Sequence, residues 1–332
     1  MSHQGEKFVD LLIEILKSIL FGIVEGITEW LPVSSTGHML LLGQFVKLNV
    51  SKDFWDMFLV VIQLGAILAV VILFFSKLNP LSRSKDAAER GNTWKLWAKI
   101  VVACVPAAAI GIPLDNWMED HLGSPFVIAG ALIVYGIAFI VIEKRREVRA
   151  QSLLAQGEGA VAAALAGMGS KAGSATPKHM ATPPVSELSV SELADTDAKI
   201  TDVFQMTWPV ALGIGAFQVL SMIPGTSRSG STIIGGLLLG CSRAVAAEFT
   251  FFLAIPVMFG ASLLRLVKFF LKGNAFTNPE LMILGAGCLV AFVLSLLTVR
   301  FLMSFVKRHD FQPFGVYRIV LGIAVIAYFV LA

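Results

Sequence analysis

Strongly apolar, almost uncharged runs alternate with short polar segments along most of the chain. The runs cover residues 55–75, 100–114, 126–142, 249–264, 281–299 and 313–332. Most approach the roughly 20 residues that a helix needs to span the hydrocarbon core of a bilayer. Polar segments fall at residues 76–99, 115–124, 143–202, 268–280 and 307–312. This pattern predicts an all-α polytopic membrane protein with about six transmembrane helices.

Two further apolar stretches are interrupted by polar loops. In the first, residues 22–31 and 38–46 flank the loop 32–37; in the second, residues 210–223 and 231–239 flank the loop 224–230. Each flank is shorter than a span. The prediction is therefore two re-entrant helix hairpins, whose tips must be buried in protein or line a wet cavity to satisfy the backbone. Matching residues recur along one diagonal: Gly22 with Gly215, Glu25 with Gln218, Ser34 with Ser227, Gly37 with Gly230, Phe58 with Phe251 and Ile62 with Ile255, each pair 193 apart. An internal inverted repeat follows as the expectation. Residues 1–149 would form the first membrane repeat and residues 203–332 the second. Between them, residues 150–202 read as a flexible cytoplasmic linker, because the stretch 150–196 is rich in Ala, Gly, Ser, Thr and Pro and lacks the bulky side chains that would offset chain ordering.

Composition narrows the class further. The 332 residues are 56% hydrophobic and 15% charged, with a mean hydropathy of +0.78, so lipid rather than water is the natural solvent. Net charge is +3, placed between the spans and not in a basic stripe with interleaved aromatics, which excludes nucleic acid as the expected partner. Lys77, Arg83, Lys85, Arg90, Lys95 and Lys99 mark one loop as cytoplasmic, and Lys144, Arg145, Arg146 and Arg149 mark the linker likewise. Asp115, Glu119 and Asp120 then lie outside, the first hairpin enters from outside and the second from the cytoplasm; Lys268 and Lys272 run against this scheme. The charged first stretch lacks a signal-peptide cleavage pattern and is expected to be retained. Cys104, Cys241 and Cys288 stand singly and read as packing residues.

Chemistry concentrates at the two tips. Glu25 and Glu29 are four apart, hence on one helix face, at an apolar depth where an unpaired carboxylate is costly. They could hold a divalent cation, orient His38, or pair with a basic side chain for structure alone. His38 follows Ser35 by three residues, so it could take the Ser35 proton, attack phosphorus itself, or simply be a hydrogen-bonded structural histidine. Ser34, Thr36 and Gly37 add hydroxyls and backbone donors. In the second tip, Gly225, Ser227, Ser229 and Thr232 surround Arg228 with small and hydroxylated residues, the makings of a phosphate cradle at a helix start. Arg228 could instead pair with Glu25 or Glu29 to join the two halves.

The stretches Glu25-Gly-Ile-Thr-Glu29-Trp-Leu-Pro-Val-Ser-Ser-Thr-Gly-His38 and Pro224-Gly-Thr-Ser-Arg-Ser-Gly-Ser-Thr232 closely resemble the two signature motifs of the bacterial undecaprenyl-diphosphate phosphatase family, the bacitracin-resistance type. Supporting similarity covers residues 58–65, 242–256 and 313–318. The resemblance implies hydrolysis of a polyprenyl diphosphate lipid to its monophosphate, recycling the carrier for peptidoglycan synthesis. It also implies a required divalent cation, magnesium or calcium, and a place in the bacterial inner membrane with the site opening outward. By motif position it carries functional roles onto Glu25, Glu29, Ser34, Ser35, His38, Ser227, Arg228, Ser229 and Thr232. Segment 150–196 departs from the family pattern by its length. A homo-oligomer is compatible with this reading. The type 2 phosphatidic-acid phosphatase group is disfavoured, since it places a His six residues after its Arg, where this chain has Ile234. A lipid transporter would share the broken helices but has no use for a nucleophile beside a base, and a scaffold would need none of these groups at apolar depth. The expected mechanism is attack by Ser35, activated by His38.

Overall fold

The computed structural model describes residues 3–155, 195 and 198–331. Among them, eleven α-helices follow one another: α1 (His3–Thr28), α2 (Ser35–Phe45), α3 (Lys52–Leu73), α4 (Phe75–Leu78), α5 (Ala87–Leu122), α6 (Pro125–Ala155), α7 (Trp208–Val219), α8 (Arg228–Leu238), α9 (Arg243–Leu271), α10 (Asn278–Phe305) and α11 (Gln312–Leu331). Six of these, α3, α5, α6, α9, α10 and α11, contain stretches long and apolar enough to cross a membrane. The protein is an all-α polytopic membrane protein.

Lipid tails are as apolar as the helices, so helices associate here through close van der Waals approach at small residues. A Cβ on Gly65 of α3 would fall 2.0 Å from the Cys288 carbonyl oxygen of α10. Gly136 of α6 and Gly315 of α11 face one another, each leaving room for the other's carbonyl within 2.7 Å of where its own Cβ would be. The principal pairings are α6 with α11, α1 and α3 with α10, α3 with α9, and α5 with α7.

Three boundaries differ from the sequence expectation. The first arm of the first hairpin is not a short flank: α1 runs 26 residues, about 39 Å at 1.5 Å per residue. Its mid-helix charges are paired: Lys17 Nζ donates to Glu14 and to the Lys47 carbonyl (2.7 and 2.8 Å) and Asn49 N donates to Glu14 (2.8 Å). Helix α5 starts inside the expected loop 76–99, because Asp86 and Glu89 form a capping box there. Helix α6 continues to Ala155, so residues 150–155 are helical. The rest of the linker expectation, residues 156–194, 196 and 197, lies outside the described residues. Within the same expected linker, residues 199–200 return to Gly240–Cys241 through backbone hydrogen bonds and an isolated bridge. Asp195 pairs with Arg146 and accepts from the backbone N–H of Arg243. Burial raises the Asp195 carboxyl above its ordinary range against the pull of those two arginines.

Two hairpins approach one another from opposite ends of the bundle. The open end of α1 and α2 lies with the α3 start, and there exposed Lys272 pairs with Asp53 at 2.5 Å. The open end of α7 and α8 lies with Ile200, Cys241 and the α9 start. Their tips, residues 29–34 and 220–227, meet between these ends.

Candidate active site

Each tip ends in a serine that caps the returning helix. Ser34 has φ 74° and accepts from Gly37 N at 3.3 Å; Ser227 has φ 70° and accepts from Gly230 N at 3.1 Å. Outside glycine this left-handed backbone is uncommon and costs energy, and it concentrates at functional sites. The same strained cap therefore begins α2 and α8 at positions 193 apart. Both helix starts turn their first-turn N–H groups toward the tips, the arrangement that binds anions. Gly225, with φ 95°, turns the second tip where a Cβ would sit 2.4 Å from the Ile128 carbonyl oxygen.

Glu29 is the junction of the two halves. Its Oε2 accepts from Ser35 Oγ at 2.5 Å and its Oε1 accepts from Arg228 Nη2 at 3.0 Å. The carboxylate is 7% exposed, so neither contact is weakened by bulk water. Arg228 Nη1 donates to the Thr250 carbonyl at 3.0 Å, and its guanidinium lies over the Trp30 ring at 5.9 Å. Arg228 Nε is buried with no protein acceptor. Ser229 Oγ reaches the Glu29 and Leu31 carbonyls at 3.2 and 3.3 Å and faces Ser227 Oγ at 3.0 Å. Thr232 sits one turn behind, bonded to the Arg228 carbonyl and to Thr250 Oγ1, and fully buried. Thr36 is exposed in the first turn of α2.

His38 is not on Ser35. Its Nδ1 lies 2.7 Å from the Ser34 carbonyl and its Nε2 lies 2.6 Å from Tyr317 Oη, with the two rings parallel within 2°. A carbonyl only accepts, so in the neutral ring Nδ1 carries the hydrogen and Nε2 accepts from the tyrosine. The expected Ser35–His38 pair is thereby corrected to Ser35–Glu29 and His38–Tyr317. Three positions on a helix separate Ser35 from His38, but the imidazole turns back onto the carbonyl of the preceding turn.

Glu25 is 1% exposed and its carboxyl faces that of Glu29. Its Oε1 is buried without a partner. Two facing carboxyls need a proton or a cation between them, and a divalent cation suits this orphaned oxygen. Among the described residues no group of three or more His, Cys, Asp or Glu converges, so Glu25 and Glu29 would hold it together with hydroxyl or substrate oxygens.

Sequence reasoning missed Tyr317 as the His38 partner, Thr250 as the Arg228 acceptor and Arg318. The guanidinium of Arg318 is fully buried and reaches both tips. A lone arginine within the apolar run 313–332 was the available signal, by the logic that singled out Arg228.

Fold and site together define a polytopic membrane protein in which polar loops 29–34 and 220–227 meet among its helices. Residues 18–324 match the family described as Bacitracin resistance protein BacA, and the chain belongs to that family. It is 49% identical to a Streptococcus thermophilus protein named undecaprenyl-diphosphatase, over 96% of this chain and 94% of that one. Proteins of the same name from Enterococcus faecalis and Streptococcus pyogenes are 47% and 49% identical, each over 96% of this chain and 98% and 97% of theirs.

Proposed function

We propose that this chain hydrolyses undecaprenyl diphosphate to the monophosphate and inorganic phosphate at the meeting point of the two tips. The observation that carries the reading is the Glu29 carboxylate, bonded at once to the Ser35 hydroxyl of one tip and the Arg228 guanidinium of the other. The relatives' names support the phosphatase class and its substrate.

In this mechanism the terminal phosphate lies against Arg228 Nε, the hydroxyls of Ser227 and Ser229, and the first-turn N–H groups of α2 and α8. These donors neutralise charge on the non-bridging oxygens as the transition state forms. Ser35 Oγ attacks the terminal phosphorus while its proton passes to Glu29 Oε2. The bond from that phosphorus to the bridging oxygen breaks, and the polyprenyl monophosphate leaves with its tail still in lipid. Water then attacks the phosphoserine, Ser35 regains its proton from Glu29, and phosphate departs. A magnesium or calcium ion at Glu25 and Glu29, when bound, supplies further charge neutralisation for the diphosphate. His38, fixed by Ser34 and Tyr317, lines the same tip and orders its first helical turn. Tips reached by re-entrant hairpins, a site open to the outer face of the bacterial inner membrane, and recycling of the lipid carrier that bacitracin targets complete the proposal.

The test is phosphate release by protein purified in detergent, measured on polyprenyl diphosphates of several lengths with and without a chelator. Release that requires the cation and disappears in Ser35→Ala is expected. Bound diphosphate lipid with no phosphate released in the presence of cation would reject the assignment.

A further inference from the structure

We infer that Arg318 is a positioning residue that sets the separation and orientation of the two tips, an inference that rests on the phosphatase reading above. Arg318 leaves α11 beside Tyr317 and is 0% exposed. Its guanidinium spends its donors on backbone carbonyls from three segments: Pro32 of the first tip at 3.1 Å, Gly225 and Thr226 of the second at 2.8 and 2.9 Å, and Leu132 of α6 at 3.4 Å. It also lies over the Tyr135 ring at 5.4 Å. Among the described residues no carboxylate pairs with it, so what it holds is main chain.

The carbonyls it grips sit next to the strained positions. Pro32 is two residues before Ser34, and Gly225 and Thr226 directly precede Ser227, the two non-glycine residues with positive φ. A strained backbone persists only where its surroundings over-determine it. One planar cation bonded to both loops supplies that constraint, and a planar fork can do so in a way that a point charge cannot.

A trans peptide directs its N–H opposite to its C=O. Fixing the Thr226 carbonyl on Arg318 therefore turns the Ser227 N–H away from the guanidinium, on the cradle side of the loop. Residues of the first tip carry the nucleophile and those of the second hold the phosphate, so the transition state needs both tips in register, while ground-state binding depends chiefly on the second. Loosening Arg318 is accordingly a loss of kcat more than of binding.

The experiment compares wild type with Arg318→Lys in detergent, measuring thermal unfolding, kcat and KM for phosphate release from polyprenyl diphosphate. Expected is a folded variant whose kcat falls about tenfold or more while KM changes by less than about threefold. A folded variant with wild-type kcat would overturn the inference. Should the lysine variant not fold, Arg318→Gly is supplied with guanidinium or ammonium ions at equal concentration. Saturable recovery of kcat by guanidinium alone supports the positioning role; no recovery, or equal recovery by ammonium, overturns it. Wild-type release is the control: its absence would reject the phosphatase reading, whereas a normal wild type with a normal variant rejects only the role of Arg318.

Discussion

Arg228 Nη2 and Glu29 Oε1 lie 3.0 Å apart although 199 residues separate them, and this ion pair ties the tip of one half directly to the tip of the other. A guanidinium can keep this bond through Nη2, a second to the Thr250 carbonyl through Nη1, and still offer Nε to phosphate. An ammonium cannot cover three directions in one plane. Arg228→Lys is expected to lower kcat/KM by about 100-fold or more, the effect of removing one well-placed oxyanion donor. Phosphate release at equal amounts of folded protein checks this, and near-normal turnover would remove Arg228 from the cradle.

The Ser35–Glu29 contact predicts which covalent intermediate forms. Rapid quenching of wild type with labelled substrate should trap label that is stable to acid and released by base, as a phosphoserine is. Ser35→Ala should trap none and Glu29→Gln much less, because the hydroxyl needs an adjacent base to attack. Acid-labile label that survives in Ser35→Ala would make His38 the nucleophile instead.

Gly65 is predicted to matter for stability and not for chemistry. A Cβ there would lie 2.0 Å from the Cys288 carbonyl oxygen, so Gly65→Ala must push α3 away from α10. Overpacking of this kind costs about 1–3 kcal/mol. Thermal unfolding in detergent should show a lowered midpoint, while the specific activity of the remaining folded protein stays near wild type.

Tyr317→Phe keeps the ring stacked on His38 but removes the hydroxyl that bonds Nε2 at 2.6 Å. Loss of one hydrogen bond of about 1–1.5 kcal/mol corresponds to roughly tenfold. The fall should appear in kcat, because His38 orders the first turn of α2 that carries Ser35, with KM little changed and the thermal midpoint slightly lowered. A variant with wild-type kcat would show that His38 needs no fixed tautomer.

Which parts of this site could be read from the chain follows from the range of the interactions involved. Both tips were legible because hydroxyls, glycines and charges at apolar depth are anomalous wherever they occur, and the returning arms predicted at 38–46 and 231–239 correspond to α2 and α8. The length of α1 was not legible, since Glu14 and Lys17 break the apolar run while pairing locally and leave the helix intact. Partner choice was the hardest to read. Ser35 and His38 are neighbours in sequence, yet Ser35 bonds back across the tip to Glu29, six residues before it, and His38 bonds to Tyr317, which only tertiary packing brings near. Arg318 bonds only main chain, and a carbonyl leaves no mark of its own in a sequence.

Glu25 is the last group whose role the geometry makes testable. Of the two facing carboxyls, Glu29 already serves Ser35 and Arg228, whereas Glu25 Oε1 is buried with no partner. A cation would therefore gain most from Glu25, and Glu25→Gln should weaken the apparent affinity for magnesium or calcium while the Ser35–Glu29 contact is retained. Chelation should abolish phosphate release by wild type, and readdition of either metal should restore it. In Glu25→Gln, restoration should require about tenfold more metal or beyond, with the saturated rate falling less than the affinity. Isothermal titration of the metal against the substrate-free protein supplies a second readout, because it reports the site without turnover. If Glu25→Gln binds metal as wild type does and yet turns over slowly, the pair is an acid-base unit sharing a proton, and the cation lies with the diphosphate instead.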